Sequence, residues 1–208
     1  MCHAPAPIEW VSALLKLGRK YQVGFIADEA IRRLRHACPN VNDPHCKFLD
    51  RTTTIITDYV QGGEGMAITI VNLARSFDLP ELLPVAMYRC CQMSTHTLIH
   101  GATLEDGTHE QLSNADVALC LEGKTQILEW NLSLLPGLRI SQHGHSCGEC
   151  FERILFSTKA LLDYDICFNK FLSFADDEPC DDCKVELAKE VRIVQREAYR
   201  ELKNIFAL

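Results

Sequence analysis

The stretch Ile68–Cys91, ITIVNLARSFDLPELLPVAMYRCC, decides the fold. Two apolar runs at helix spacing meet at Asp78-Leu79-Pro80. Ile68, Val71, Leu73, Ala74 and Phe77 line the first, and Leu82, Leu83, Val85, Ala86, Met87 and Cys90 the second. Pro80 suits the first turn of a helix, where its missing N–H is an orphan in any case. Pro84 resets the start of the second helix or kinks it. The expectation is a helical hairpin at the centre of a mainly α chain, a bundle or array of about seven or eight helices.

Toward the N-terminus, apolar residues recur at helix spacing from Ile8 to Cys38: Val11, Leu14, Leu15, Gly18 and Tyr21, then Phe25, Ile26, Ala30, Ile31 and Leu34. Gln22–Gly24 divides this run into two helices, since glycine weakens a helix interior by roughly 1 kcal/mol. Arg32, Arg33, Arg35 and His36 crowd the second helix's end. They read as a solvated face complementing the helix dipole, in preference to a nucleic-acid patch. Residues 39–65 form an irregular connector with room for one short strand in the β-branched run Thr52–Val60. The glycines of Gln61–Gly65 that follow match neither a phosphate loop nor a dinucleotide fingerprint and read as a flexible surface loop.

Toward the C-terminus, Ser94 starts a helix that Gly101 stops, Glu105–Thr108 is a turn, and Ser113-Asn-Ala-Asp116 has the form of a capping box. The helix it opens is expected to end at Gly123, with another carrying Ile127, Trp130, Leu134 and Leu135 beyond it. The composition shifts at 137–146. Two last helices are expected, over 151–172 and 184–206, the final one with Leu187, Val191, Val194, Ala198, Leu202 and Ile205 along one stripe. Its basic row is balanced by acids and reads as solvated surface. The division is therefore 1–38, two helices; 39–65, connector; 66–136, a central helical domain; and 137–208, a cysteine-containing helical pair.

Composition narrows the function classes. The 208 residues are 47% apolar and 24% charged with a formal net charge of −7, which gives no global pull toward nucleic acid or anionic lipid. No apolar run approaches the ~20 residues of a membrane span, and MCHAPAPIEW lacks the form of a secretory signal. Eleven cysteines, an odd count, point to a reducing compartment, cytoplasmic or nuclear, with thiols buried or bound to metal.

The cysteines with metal-ligand spacing are Cys147-Gly-Glu-Cys150 and Cys180-Asp-Asp-Cys183. Two such knuckles supply the four thiolates of a closed tetrahedral zinc site. Residues 151–179 between them exceed the usual ~15–20. An unbroken helix over 151–172 would carry the chain ~33 Å away, and Ser173–Cys180 spans at most ~29 Å. Zinc therefore requires a break, for which Asp163-Tyr164-Asp165 is the place; His143 and His145 are substitute ligands. The alternatives are plain structural cysteines at helix starts, or a redox pair with lowered thiol pKa. Cys90 and Cys91 near His96 suggest a thiol nucleophile, but neighbours on a helix face different ways and a buried cysteine is usually inert. No other catalytic motif is present, and no enzyme is expected.

Several of these stretches together resemble the helical region that follows the BTB core in fungal (basidiomycete-type) BTB-domain proteins. That group shares a Leu-Lys/Arg-Leu-Gly/Ala-x-Lys-Tyr stretch ahead of an Ala-x-x-Arg-Leu helix, matched by Leu15–Tyr21 and Ala30–Leu34. An Asn-Leu-Ala-Arg helix, a Leu-Pro-x-Ala-x-Tyr-x-Cys-Cys helix and an Asp-Gly turn are matched by Asn72–Arg75, Leu83–Cys91 and Asp106-Gly107. Leu112–Asp116, Cys180–Cys183 and Phe206–Leu208 follow in the same order. The resemblance implies a non-enzymatic adaptor with protein partners, and makes 1–38 the end of a BTB-like fold. In that family the β-sheet core, through which BTB proteins dimerise, precedes the Leu-x-Leu-Gly stretch. The resemblance omits it, so either a fragment or truncated form, or a variant lacking the dimerisation surface, is expected, without BTB-type dimerisation.

Overall fold

The computed structural model describes residues 4–39, 59–63, 65–134, 193, 197 and 200–208, with side chains placed to residue 130 in the long helix that ends at 134. Its chain order is β1 (Ala6–Pro7), α1 (Ile8–Lys20), α2 (Gly24–Ala37), β2 (Val60–Gln61), α3 (Met66–Ser76), a 3₁₀ turn (Pro80–Leu82), α4 (Leu83–Cys91), α5 (Thr95–His100), β3 (Ala102–Thr103), β4 (His109–Glu110) and α6 (Asn114–Leu134). Residues 200–205 are helical again. The protein is mainly α, as expected.

The central hairpin forms as its sequence dictates, but it is buried more completely than an amphipathic pattern implies. Every residue of α4 is buried, and α3 buries all but Asn72 and its last two residues. Apart from Arg89 and the Tyr88 hydroxyl, α4 is apolar all round, as befits a helix inside a core. α4 packs against both α3 and α6, and α3 also meets α1. Pro84 stands in the first turn of α4, so it resets the helix start. α3 ends on Asp78 in the left-handed region (φ 54°), with the Leu79 N–H donating to the Ala74 carbonyl at 2.9 Å. Fully buried Ile68, Ile70, Leu82 and Met87 each contribute ~2 kcal/mol of apolar transfer.

α1 and α2 make a second hairpin. The break between them falls at Gln22 (φ 56°), where the Val23 N–H reaches the Gly18 carbonyl at 2.8 Å. Gly24 opens α2 and does not cause the break. The glycine that matters is Gly18, since a Cβ there would lie 2.7 Å from the Ala27 nitrogen and 3.1 Å from its Cβ. Residues 61–63 of the loop are at the surface, and two of the glycines in 61–65 also have close neighbours. A Cβ at Gly62 would meet Met66 Cβ at 2.9 Å, and one at Gly65 would meet Leu104 Cδ2 at 2.6 Å.

The expected strand within 39–65 is the two-residue β2, parallel to β1 with Ala6 opposite Val60; residues 52–58 lie outside the described residues. The antiparallel β3–β4 hairpin was not expected. Its two-residue strands are too short to show an alternation, and Gly107 (φ 86°) turns between them. A further correction concerns Gly123, which does not end a helix. α6 runs through it, and its missing side chain admits the Phe206 ring. Buried residues from α1 to α6, with Leu202 and Phe206, form one contiguous cluster.

The basic end of α2 is tied to structure. Arg32 and Arg33 both bond Glu29, at 2.7 and 2.9 Å, and Arg33 also donates to the Tyr59 carbonyl at 2.9 Å. Arg35 pairs with Glu81 at 2.8 Å, and His36 stacks on Tyr59 with ring centroids 4.1 Å apart. The hydrogen bond from Arg32 and the second guanidinium hold the Glu29 carboxyl at about 2. Because this lies below the unfolded value, the stabilisation is complete above pH ~4.5 and disappears as pH falls through about 2. The side chain is 36% exposed, so solvent screening keeps the contribution under ~1 kcal/mol. Melting curves of wild type and Glu29→Gln are expected to differ at pH 6 and converge at pH 2; a gap that persists unchanged at pH 2 would refute the assignment.

Candidate functional site

Three classes of residue stand out for function: the cysteines, the residues of the motif stretches, and the exposed apolar side chains.

Cys90 and Cys91 sit on α4 and Cys120 on α6, all fully buried, with the Cys91 thiol donating to the Cys120 carbonyl at 3.3 Å. Hydrogen bonding to Cys120, then burial, hold the Cys90 and Cys91 thiols above the ordinary range. Burial pushes Cys38 up as well, against the nearby Arg89 charge. A neutral, enclosed thiol is a poor nucleophile. His96 is on α5 with its ring 4.5 Å from that of His100. Cys38, Cys90 and Cys91 therefore act as small hydrophobes with weak hydrogen bonds, while the bonds from Cys90 and Cys91 push the Cys120 thiol below the ordinary range inside the same buried cluster. No group of metal-ligating side chains occurs among the described residues. Cys147, Cys150, Cys180 and Cys183, with His143 and His145, lie outside them.

Two of the motif stretches, Asn72–Arg75 and Leu112–Asp116, meet at one polar junction. Asn72 projects from α3 and donates through Nδ2 to Glu110 Oε2 at 2.6 Å and to the Gln111 carbonyl at 3.1 Å. One turn on, Arg75 bonds Asp116 Oδ1 through Nη2 at 2.8 Å and Nε at 3.1 Å. Asp116 is the far end of the capping box: its N–H donates to Ser113 Oγ at 3.1 Å, and the Ser113 hydroxyl donates to Asp116 Oδ2 at 2.8 Å. Asp106 Oδ1 accepts the Thr108 N–H at 2.8 Å in the hairpin turn. The Asn72–Arg75 stretch thus ties α3 to the hairpin and to the start of α6. These are scaffold bonds between elements distant in sequence, and they engage the polar groups of the motifs with one another.

The remaining candidate is a surface. Trp10 is 69% exposed, Leu17 50%, Tyr21 64% and Phe25 76%. Leu14, half-buried, completes the set on α1. At 100° per residue, Trp10, Leu14, Leu17 and Tyr21 fall within one narrow arc of the helix. Val11, Leu15 and Gly18, on the adjacent arc, face the core. α1 therefore carries two apolar stripes, one packed and one in solvent, and Phe25, at the start of α2, is exposed as well. Reading Tyr21 and Phe25 as part of the same pattern as the core residues merged the stripes. The signal that separates them is the width of the apolar arc, which exceeds what a single packed face requires. Lys20 flanks the exposed stripe, and its ammonium lies 5.4 Å from the Tyr21 ring centroid.

Three aromatics at these exposures and Leu17 present ~500 Å² of apolar surface, at the upper end of the patch size that ordinary monomers show and that commonly marks a binding site. No helix among the described residues is long and apolar enough to cross a membrane. No family model, no curated protein and no solved structure matches the chain.

Proposed function

We propose that this chain is a non-enzymatic protein-interaction module, related to the helical region of BTB-domain proteins, whose docking face is the solvent-exposed stripe of α1. The observation that carries this reading is the set Trp10, Leu14, Leu17, Tyr21 and Phe25, held at the surface on a rigid hairpin. Exposed aromatics on a fixed helix are the residue types that supply most interface energy. The buried, neutral thiols of Cys38, Cys90 and Cys91 and the polar network between helices support a scaffold over an enzyme.

Affinity purification of the full chain from cells, with Trp10→Glu/Leu17→Glu alongside, tests it. The expected result is a reproducible set of proteins lost by about tenfold or more in the double variant, at unchanged melting temperature. Identical partners on both baits, or none on either, would rule the reading out.

The sequence of Cys147, Cys150, Cys180 and Cys183 supports a second feature of the module, one structural zinc held by four thiolates. Elemental analysis of purified full chain is expected to show about one zinc per chain, lost in Cys147→Ser/Cys180→Ser, and a lower melting point after chelation. Trace zinc in the wild type, with melting indifferent to chelator, would eliminate it.

A further inference from the structure

We infer that the exposed stripe of α1 pairs with the same stripe of a second copy of this chain, antiparallel about a two-fold axis passing between residues 15 and 16. This rests on the reading of α1 as a docking face and names its occupant.

The stripe has a palindromic form. Its members are aromatic, leucine, leucine and aromatic, at Trp10, Leu14, Leu17 and Tyr21, with steps of 4, 3 and 4. That is the d-a-d-a spacing of a helix–helix seam. A two-fold interface requires that if residue i meets residue j, j also meets i. Turning a copy about an axis between 15 and 16 sets Trp10 on Tyr21 and Leu14 on Leu17, each twice, so large rings meet at the ends and branched side chains in the middle. The flanks agree with this register. Ala13, the exposed neighbour of the stripe, is small enough to let the helices approach, and Lys20 of one copy lies on the same flank as Ala13 of the other, not opposite a lysine. Lys16 sits about 130° around the helix from the centre of the stripe and is directed away from the seam. The seam therefore forms without setting two like charges against each other.

Area sets the strength. Trp10, Leu17 and Tyr21 contribute ~400 Å² of apolar surface per copy, so the pair covers ~800 Å², the size of a weak, transient interface. A monomer–dimer equilibrium in the micromolar range follows, not an obligate dimer.

Sedimentation equilibrium of the full chain across about 1–100 μM tests this, with Trp10→Glu and Tyr21→Lys as variants. Both positions are mostly exposed, so folding survives, as thermal melting checks. In the antiparallel register each variant alone places a charge against an aromatic twice, and dimerisation is expected to weaken by about a hundredfold. In an equimolar mixture of the two variants, the introduced carboxylate of one copy meets the introduced ammonium of the other at one end of the seam. Trp10 still meets Tyr21 at the opposite end, and the mixture is expected to recover most of the heterodimer. A wild type that stays monomeric to 100 μM overturns self-pairing. The module reading then still stands if the affinity-purification partners depend on Trp10 and Leu17, and falls if they do not. A dimer indifferent to both substitutions, or one broken by each and not restored by mixing, overturns the α1 seam and its antiparallel register respectively.

Discussion

Replacing Gly123 with valine is expected to expel the Phe206 ring from its seat on α6 and to cost ~3–5 kcal/mol, the range for losing a buried phenylalanine. A Cβ at residue 123 would overlap Phe206 Cε1 and lie 3.1 Å from Cδ1 and 3.2 Å from Cζ. The ring is 1% exposed and belongs to the same cluster as Leu202 and Ile127, so it has no room to retreat within the core. At ~2–4 °C per kcal/mol for a chain of this size, the melting temperature falls by ~10 °C. Phe206→Ala removes the ring without the clash and leaves a cavity of similar cost. The double variant is expected to be less destabilised than the sum, because valine then fills part of the space that phenylalanine vacates. A Gly123→Val protein that melts with the wild type would show that the C-terminal segment does not dock there.

Asp116→Ala is the second large effect. The carboxylate is 6% exposed and accepts two bonds from Arg75 and one from Ser113. Its loss removes the charge partner of a guanidinium that is 42% exposed and can return to water, so the full penalty of orphaning a buried charge does not apply. What remains is the pair, the reciprocal half of the capping box and a favourable charge in the first turn of α6, together ~2–3 kcal/mol. Asp116→Asn keeps an acceptor for Ser113 and is expected to cost about half as much. A Ser113/Arg75/Asp116 set of double-mutant cycles in urea gives the coupling; additivity of Arg75→Ala with Asp116→Ala would mean that the bond contributes nothing to stability.

The same junction explains two of the motif stretches. Asn72, Arg75, Asp106-Gly107 and Ser113–Asp116 are separated by up to forty-odd positions, yet all but Asp106 and Gly107 meet at one corner of α3, the β3–β4 hairpin and α6. Residues that fix a tertiary joint, like catalytic residues, are specified by position and chemistry together. What distinguishes these is that their polar atoms bond to other parts of the fold.

Much of the fold was legible because it is local. The Ser94 cap accepting the Thr97 N–H at 3.0 Å, the stop at Gly101 with φ 80°, the Ser113 box and the Pro84 restart each depend on residues within one turn. The helical period from Ile8 to Leu34 and from Ile68 to Cys91 likewise identified the two hairpins and the burial of Cys90 and Cys91. Gly123 was misread because a glycine's local tendency is to break a helix, while its tertiary use here is to admit a neighbour. The β1–β2 pair joins residues more than fifty positions apart through two bonded residues each, too short for any period to register.

By itself, then, the sequence determined a mainly helical chain with two central hairpins, its caps and stops, buried cysteines in α4 and two Cys-x-x-Cys pairs at 147–150 and 180–183. Only the tertiary structure decided that α1 has two apolar stripes with different fates. Periodicity reports which residues share a face of a helix, but not which face finds a partner. Val11, Leu15 and Gly18 are buried because α2 and the core lie on their side, and Trp10, Leu17 and Tyr21 are exposed because nothing in the described fold lies on theirs.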